Sequence, residues 1–228
     1  NAATIAQLTT IDAATTGTLT YTSVTDTASN LSTNTGSYVT GNKTVTISEG
    51  STATLAELVN INADTSGAIT LSTETIAENY SGSATNLSNA FAGTVTEHTG
   101  TVTITGSVNV SKLKTINDAT TGDITLQVTS DALFGTASDL ADAFAGTVTT
   151  HTGTVIITDE PTASQLKTIN DATTGAITLD DVDGALSGTA SDLVDAFAGT
   201  VTELESNVTV TNAATIAQLT TIDAATTG

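Results

Sequence analysis

Two hydrophobic patterns alternate along the chain. In the first, apolar residues stand three and four positions apart, as Leu140, Ala143 and Phe144 do, and this spacing predicts a short amphipathic helix. The second is rich in Val, Ile and Thr, and either alternates apolar with polar residues, as after Gly146, or forms a short apolar run, as in 154–158. Such segments are typical of strands. Because the two patterns follow each other repeatedly, the sequence predicts an α/β protein.

A five-residue signature marks the expected start of each helix. Its first residue is Thr, Ser or Asn, whose side-chain oxygen can accept a hydrogen bond from a helix amide, and its fifth is Leu. Where Gln or Glu stands fourth, a reciprocal capping box is expected, whereas Asn, Asp or Lys at that place does this less well. We expect a glycine, such as Gly122 or Gly146, to end each helix in the left-handed conformation. The signature starts at Thr4, Thr27, Thr54, Ser83, Asn109, Thr136, Thr162, Thr189 and Thr215.

The signatures recur at several periods. Successive copies are 23 to 29 residues apart, so the elementary repeat has about 26 residues. Pairs of repeats form a double repeat of about 53, because the glycines that close words such as INDATTG recur near that spacing. Residues 212–228 are identical to 1–17, which lie 211 positions earlier. The expected boundaries are one full period at 1–211, with sub-units near 1–53, 54–108, 109–161 and 162–211, and the start of the next period at 212–228.

The repeat length predicts how the apolar faces are buried. A single repeat of about 26 residues cannot cover its own apolar face, whereas a stack of repeats can. The sequence therefore predicts a solenoid in which each coil contains a capped short helix, a glycine and a strand, with the strands of successive coils parallel. A string of small α/β beads, each formed by one double repeat, is the alternative.

Charge and composition exclude several classes of partner. The formal net charge is -20, from 24 acidic residues against four basic ones, all of them lysine. Nucleic-acid binding needs basic groups to neutralise phosphates, so it is not expected, and anionic membrane surfaces are disfavoured for the same reason. The sequence lacks the apolar run of about 18 residues that a spanning helix needs, so membrane insertion is not expected. The absence of Cys excludes disulfides and zinc–thiolate sites.

One acidic stretch is a weak candidate for metal binding. Asp180, Asp181 and Asp183 precede Gly184 and resemble part of a calcium loop. The spacing of an EF-hand fails, because Leu179 occupies the place of the first Asp and no bidentate Glu follows. We expect a solvated turn here, with a loosely bound calcium ion as the alternative, and no other cofactor.

Two histidines share the sequence context His-Thr-Gly-Thr-Val. His98 and His151 are too far apart in the predicted stack to bind one metal ion, and Leu204 occupies the corresponding place in the next copy. We therefore interpret both histidines as turn residues before Gly100 and Gly153.

Pairs of threonines in the predicted strands suggest a different function. Ladders of outward-facing Thr would suit an ice-binding or ligand-binding solenoid, although Thr is also simply a polar residue that favours strands. The pairs are Thr94 with Thr96, Thr101 with Thr103, and Thr147 with Thr149. No phosphate-binding loop, nucleophile elbow or dinucleotide motif is present, and the acidic residues repeat as a solvated face would, so we expect no enzyme activity.

The words AATIAQLTTIDAATTG and GTASDLADAFAGTV resemble the giant Ala/Thr/Asp-rich tandem-repeat proteins of marine cyanobacteria and their phages. This resemblance covers the whole chain and implies an extracellular or cell-surface location. It also implies a structural role, as a repeat segment of an extracellular fibre, matrix or surface filament whose partners are other copies of the same repeat, joined end to end or laterally. The stalk of a giant adhesin and a phage fibre are alternatives.

Overall fold

The computed structural model of the protein describes residues 2–180, 184–201, 204 and 206–226. In these residues short helices alternate with short strands that pair in parallel, which confirms the predicted α/β class. The helices are α1 Ile5–Ala13, α2 Ala28–Thr33, α3 Leu55–Asp64, α4 Thr73–Ile76, α5 Ala84–Phe91, α6 Val110–Asp118, α7 Ala137–Ala143, α8 Ala163–Ala172, α9 Ala190–Ala196 and α10 Ile216–Ala224. The strands are β1 Ser23–Asp26, β2 Thr44–Ile47, β3 Ile69–Thr70, β4 Tyr80–Ser83, β5 Val102–Thr105, β6 Ile124–Leu126, β7 Leu133–Gly135, β8 Val155–Ile157, β9 Ile177–Leu179, β10 Leu186–Gly188 and β11 Val208–Val210.

All nine predicted helix starts are confirmed. At each, the side-chain oxygen of the first signature residue accepts a hydrogen bond from the amide three positions later. The reciprocal capping box forms where the fourth residue is Gln or Glu, at Thr4, Thr54, Thr162 and Thr215. One further helix, α4, begins after Ser72, where Ile76 stands in the place of the signature Leu. This helix was not predicted.

The role predicted for glycine is correct at Gly146 and wrong at Gly122. Gly146 has φ +71°, in the left-handed region, and follows the end of α7. Gly122 is not left-handed. It lies so close to the carbonyl oxygen of Gly100, in the preceding repeat, that an added Cβ would come well inside 3.0 Å, and Gly175 lies against Gly153 in the same way. The close approach of successive repeats therefore requires glycine at these places.

The chain divides into two compact regions. The first consists of Asn1–Thr105 and Ala119–Asp123. Here β1, β2 and β3 form one parallel sheet, and β4 pairs in parallel with β5. Paired residues are 21, 24 and 22 positions apart, so each strand pairs with one from the next repeat. Helix α3 packs against both α2 and α5, and Ile, Leu, Val and Ala make up most of the buried core.

The second region consists of Gly106–Asp118 and Ile124–Gly228. Strands β7, β8 and β9 form a parallel sheet, and β10 pairs in parallel with β11, all with partners 22 positions apart. Helices α6 to α10 each pack against the next in sequence. The helical Leu166 and the strand residues Val155 and Ile157 are completely buried in this region.

Elements of the second region recur at the spacing of the double repeat. Val110–Asp118, for example, is followed by Ala163–Ala172, and Leu133–Gly135 by Leu186–Gly188. The strands from β7 onward begin at residues 133, 155, 177, 186 and 208, in steps of 22, 22, 9 and 22. The expectation of one strand in every elementary repeat is therefore wrong, because a double repeat contains three strand segments. The helices do keep the predicted spacing of about 26.

Candidate functional site

The histidine His98 connects three successive repeats of the first region. Its buried ring places Nε2 2.7 Å from the carbonyl oxygen of Glu78 and Nδ1 3.1 Å from Oγ1 of Thr120. A carbonyl oxygen can only accept, so the hydrogen-bond network assigns a proton to Nε2. The Thr120 hydroxyl also donates to the main-chain carbonyl oxygen of His98, 3.0 Å away, so its one proton lies between that oxygen and Nδ1. The rings of Tyr80 and Phe91 pack against the imidazole, with centroids 5.2 and 5.3 Å away.

His151 has the same role in the second region. Its Nε2 lies 2.9 Å from the carbonyl oxygen of Asp131, and its main chain pairs with that of Thr173. Leu204, one double repeat later, is also buried and also pairs with a Thr. The interpretation of both histidines as turn residues is therefore wrong. They are core residues, because the stacking of repeats brings a main-chain carbonyl of the preceding repeat into contact with each imidazole.

We predict that these two histidines make the protein less stable at mildly acidic pH. Burial lowers the pKa of His98 and His151 in the folded state, although the neighbouring carbonyl hydrogen bonds of Glu78 and Asp131 oppose this. The unfolded chain therefore binds more protons near its own histidine pKa of about 6.5. Stability is fully present above that pH and declines as the pH falls below it, by at most about 1.4 kcal/mol per pH unit for each histidine.

Urea unfolding between about pH 7.5 and pH 5 tests this. The double variant His98→Leu with His151→Leu, which copies the residue present at Leu204, should show a flatter dependence of unfolding free energy on pH. An equally steep dependence in the variant would show that other groups cause it.

An asparagine near the end of three helices, α3, α6 and α8, binds the end of a neighbouring helix later in the sequence. Asn117 donates from Nδ2 to the carbonyl oxygens of Asp142 (2.6 Å) and Ala145 (2.9 Å), in the last turn of α7 and just beyond it. Asn62 and Asn170 make equivalent bonds to the ends of α5 and α9. Helix carbonyls at the last turn have no partner within the helix, so these amides satisfy them. This Asn recurs in the sequence words INAD and INDA, and that recurrence is the sequence signal that could have identified it.

We expect Asn117→Ala to lower the free energy of unfolding by about 1 to 3 kcal/mol, because it removes two hydrogen bonds to helix-end carbonyls. Asn89→Ala, at an exposed position of α5, is the matched control and should change stability by less than about 0.5 kcal/mol. Chemical denaturation measures both. Equal effects would show that the bonds from Asn117 contribute nothing.

Several helices receive a second cap from a residue that lies one to three positions before the next helix signature. The amide of the first helical residue, just after the N-cap, donates to a side-chain oxygen 21 to 23 positions later in the sequence. This satisfies an amide that has no partner within its own helix. The pairs are Ile5 with Asp26 (2.9 Å), Ala28 with Ser51 (3.0 Å), Ala137 with Asp159 (2.6 Å) and Ala190 with Asn212 (2.8 Å).

The predicted threonine pairs are partly used inside the protein. The hydroxyls of Thr96 and Thr149 hydrogen-bond to main-chain groups of the preceding repeat, and that of Thr101 to Asn79. Bound hydroxyls of this kind contribute to joining repeats rather than to a free outer ladder. The ice-binding alternative is not supported by these three residues.

The weak calcium candidate is only partly within the described residues. Asp180 is exposed, and its amide donates to the carbonyl oxygen of Ile157. Asp181 and Asp183 lie outside the described residues. In the part of the chain that the structure describes, no three His, Cys, Asp or Glu side chains are grouped as a metal site would need. The calcium candidate therefore stays a prediction.

The two identical segments, 1–17 and 212–228, expose opposite faces. In α1, Ile5 and Leu8 are 7% and 4% exposed, while Ile11 is 50% exposed. In α10 the same three positions show the reverse pattern, with Ile216 85%, Leu219 47% and Ile222 5% exposed. Identical residues thus contact the following repeat at one place and the preceding repeat at the other.

Residues 18–47 cover α1, and we call them the acceptor segment. Ala3 pairs in parallel with Val24, and the amide of Ile5 donates to the Asp26 carboxylate. The acceptor segment therefore buries one face of the sequence that 1–17 and 212–228 share.

The corresponding face of α10 is open. Ile216, Leu219 and the neighbouring strand β11 line a groove of about 460 Å³. Val208 of β11 is half-buried, whereas Val155, one double repeat earlier in β8, is completely buried beside β9. Sequence reasoning identifies the identical segments, but only their surroundings show which face each exposes. This groove is the candidate functional site.

Comparison with protein families, curated proteins and solved structures finds no match for this chain. None of the described helices has the length and apolar character needed to cross a bilayer.

Proposed function

We propose that this chain is a structural repeat segment of an extracellular fibre, matrix or surface filament, built as a solenoid of stacked α/β repeats and without catalytic activity. Its partners are other copies of the same repeat. Support for stacking comes from the parallel strands, whose partners lie in successive repeats within each compact region. Bonds from His98 and Asn117 each join one repeat to another.

The single observation that carries the proposal is the pair of opposite faces on identical segments. Ile5 is covered by the acceptor segment, and its identical counterpart Ile216 is exposed beside an open groove. A copy of the acceptor segment stacked beside α10 would cover Ile216 as residues 18–47 cover Ile5. A repeat that can be extended in this way suits a fibre better than a self-contained binding domain.

The large negative charge supports an extracellular role. At a net charge of -20, separate copies repel each other at low ionic strength, and salt screens this repulsion. The proposal places the protein outside the cell or on its surface, so antibodies against the chain should label intact, unpermeabilised cells of the source organism. Labelling only after permeabilisation would contradict the location.

Small-angle scattering on chains of one, two and four periods tests the stacked arrangement. We expect a constant cross-section and a length that grows in proportion to the number of periods, because each period adds the same number of repeats. A cross-section that grows with period number, or scattering from flexibly linked beads, would contradict the solenoid. As a control, a two-period chain with Ile216→Asp and Leu219→Asp at its internal junction should bend or loosen at that point.

A further inference from the structure

We propose that the second region resists tension along the chain as one unit, because strand pairs that interleave in the sequence prevent one double repeat from opening alone. This inference rests on the proposed structural function and adds to it the way in which the segment bears tension. All of the contacts that carry it lie within the second region.

Two sheets of the second region interleave along the sequence. Val201 pairs in parallel with Ile177 of β9, and so extends the sheet formed by β7, β8 and β9. β10 precedes Val201 in the sequence, yet it pairs with β11 in a separate sheet. The chain therefore begins the later sheet before it has completed the earlier one.

The same order occurs one double repeat earlier. Val148 pairs in parallel with Ile124 of β6, whereas β7, which lies between these two residues in the sequence, pairs with β8. We call residues 133–148 and 186–201 the overlap segments. Each begins with the first strand of one sheet and ends with a residue that pairs with a strand of the preceding sheet.

Hydrogen bonds hold the overlap segment 186–201 from both directions. Its last helical turn and the residues after it accept bonds from groups earlier in the sequence, while amides at its start donate to groups later in the sequence. The bonds are Asn170 Nδ2 to the Asp195 carbonyl (3.0 Å), the Ile177 amide to the Thr200 carbonyl (2.8 Å), the Leu186 amide to the Asn207 carbonyl (3.0 Å) and the Ala190 amide to the Asn212 side chain (2.8 Å).

The overlap segment 133–148 is held in the same way. Bonds from earlier residues reach the end of α7 and the residues beyond it, and bonds to later residues leave from β7 and the start of α7. They are Asn117 Nδ2 to the Asp142 and Ala145 carbonyls (2.6 and 2.9 Å), the Ile124 amide to the Thr147 carbonyl (2.8 Å), the Leu133 amide to the Thr154 carbonyl (2.9 Å) and the Ala137 amide to the Asp159 carboxylate (2.6 Å).

This arrangement couples the opening of neighbouring sheets. One sheet cannot be pulled away from the next without releasing an overlap segment from its partners on one side. The boundary expected between 109–161 and 162–211 is also crossed by the pairing of Val155 with Ile177. The region therefore has no place at which one double repeat can separate with all of its own bonds intact.

Parallel pairing determines how tension acts on each pair of strands. Tension enters the earlier strand at its amino end and leaves the later strand at its carboxyl end. Because parallel strands point the same way, the two strands are pulled past each other, and the evenly spaced bonds between them are loaded together. Antiparallel strands joined by a hairpin would instead separate one bond at a time.

Native-state hydrogen exchange on the full-length chain tests the coupling. In low concentrations of denaturant, we expect the amides of Leu133, Ile177 and Leu186 to be released by one opening event, with the same free energy and the same dependence on denaturant. Val155→Ala, at a completely buried position of β8, should then speed exchange at Leu133 and Leu186 by the same factor, about tenfold or more. Independent double repeats would transmit the effect to Leu133 and leave Leu186 unchanged, which would overturn the proposal.

Phe134→Ser is the matched control. Phe134 is 71% exposed in β7, and Ser187 occupies its place one double repeat later. This substitution should leave exchange at both Leu133 and Leu186 unchanged.

Single-molecule force spectroscopy measures the response to tension directly. Thr125→Cys and Ala213→Cys place handles at two exposed positions of a chain that has no other Cys. We expect the stretch between them to unfold in a single step of about 300 Å of contour length. Two separate steps of about 130 and 180 Å, as independent double repeats would give, would contradict the coupling. A region that opens in two parts while multi-period chains still scatter as rods would retain the proposed function and refute this inference alone.

Discussion

Gly175→Ala is expected to lower the free energy of unfolding by about 3 kcal/mol or more, enough to unfold the region around it. The added Cβ would lie inside van der Waals distance of the Gly153 carbonyl oxygen, in the preceding repeat. Neither group can move away, because both belong to main chain whose neighbours are held by the pairing of His151 with Thr173. Urea denaturation followed by circular dichroism measures the loss.

Gly106→Ala is the matched control for this substitution. Gly106 has φ +77°, and an added Cβ would meet no atom within 4 Å, so its cost is only that of a left-handed alanine, about 1 kcal/mol. If Gly175→Ala cost no more than Gly106→Ala, the repeats would not be packed as closely as the structure shows.

Leu166→Ala is expected to cost about 2 to 5 kcal/mol, the range for a fully buried leucine truncated to alanine. Leu166 is completely buried in α8, at the fifth position of the helix signature. Leu219 occupies the same signature position one double repeat later and is 47% exposed in α10. Leu219→Ala should therefore cost less than about 1 kcal/mol. Substitutions of two leucines at the same signature position would thus differ in their cost because the two side chains differ in burial. A similar loss from both variants would contradict the burial assigned to each.

Local features of the fold were predictable from the sequence. A helix start depends on a few neighbouring residues, so Thr4 and Gln7 or Thr162 and Gln165 reveal a capping box without knowledge of the rest of the molecule. The left-handed Gly146 is likewise a local property.

Features that depend on which repeats meet could not be predicted. Paired strand residues such as Val155 and Ile177 are closer together in the sequence than successive helix signatures are, and no local pattern reports that difference. The positions of His98 and Gly122 follow from this register, because each contacts a main-chain group of the preceding repeat. Periodicity indicates that repeats recur, while packing decides which residues in each repeat become core.

The candidate site likewise has one feature that the sequence shows and another that only the packing of repeats determines. The identity of 1–17 and 212–228 is evident in the sequence, but the sequence alone does not distinguish exposed Ile216 from buried Ile5. Their difference arises because one copy lies against the acceptor segment and the other against the preceding repeats. In a protein held together by contacts between neighbouring repeats, whether a residue is buried depends on the repeat that stacks beside it.

Amide hydrogen exchange, measured by NMR at the junction between two periods, tests whether successive periods stack. In a chain where residues 18–228 follow Gly228 directly, stacking should protect the Ile216 amide as strongly as the Ile5 amide, which is bonded to Asp26. Exchange at Ile216 as fast in this two-period chain as in the single chain would show that the second period does not stack on α10, and that the repeats do not form a continuous solenoid.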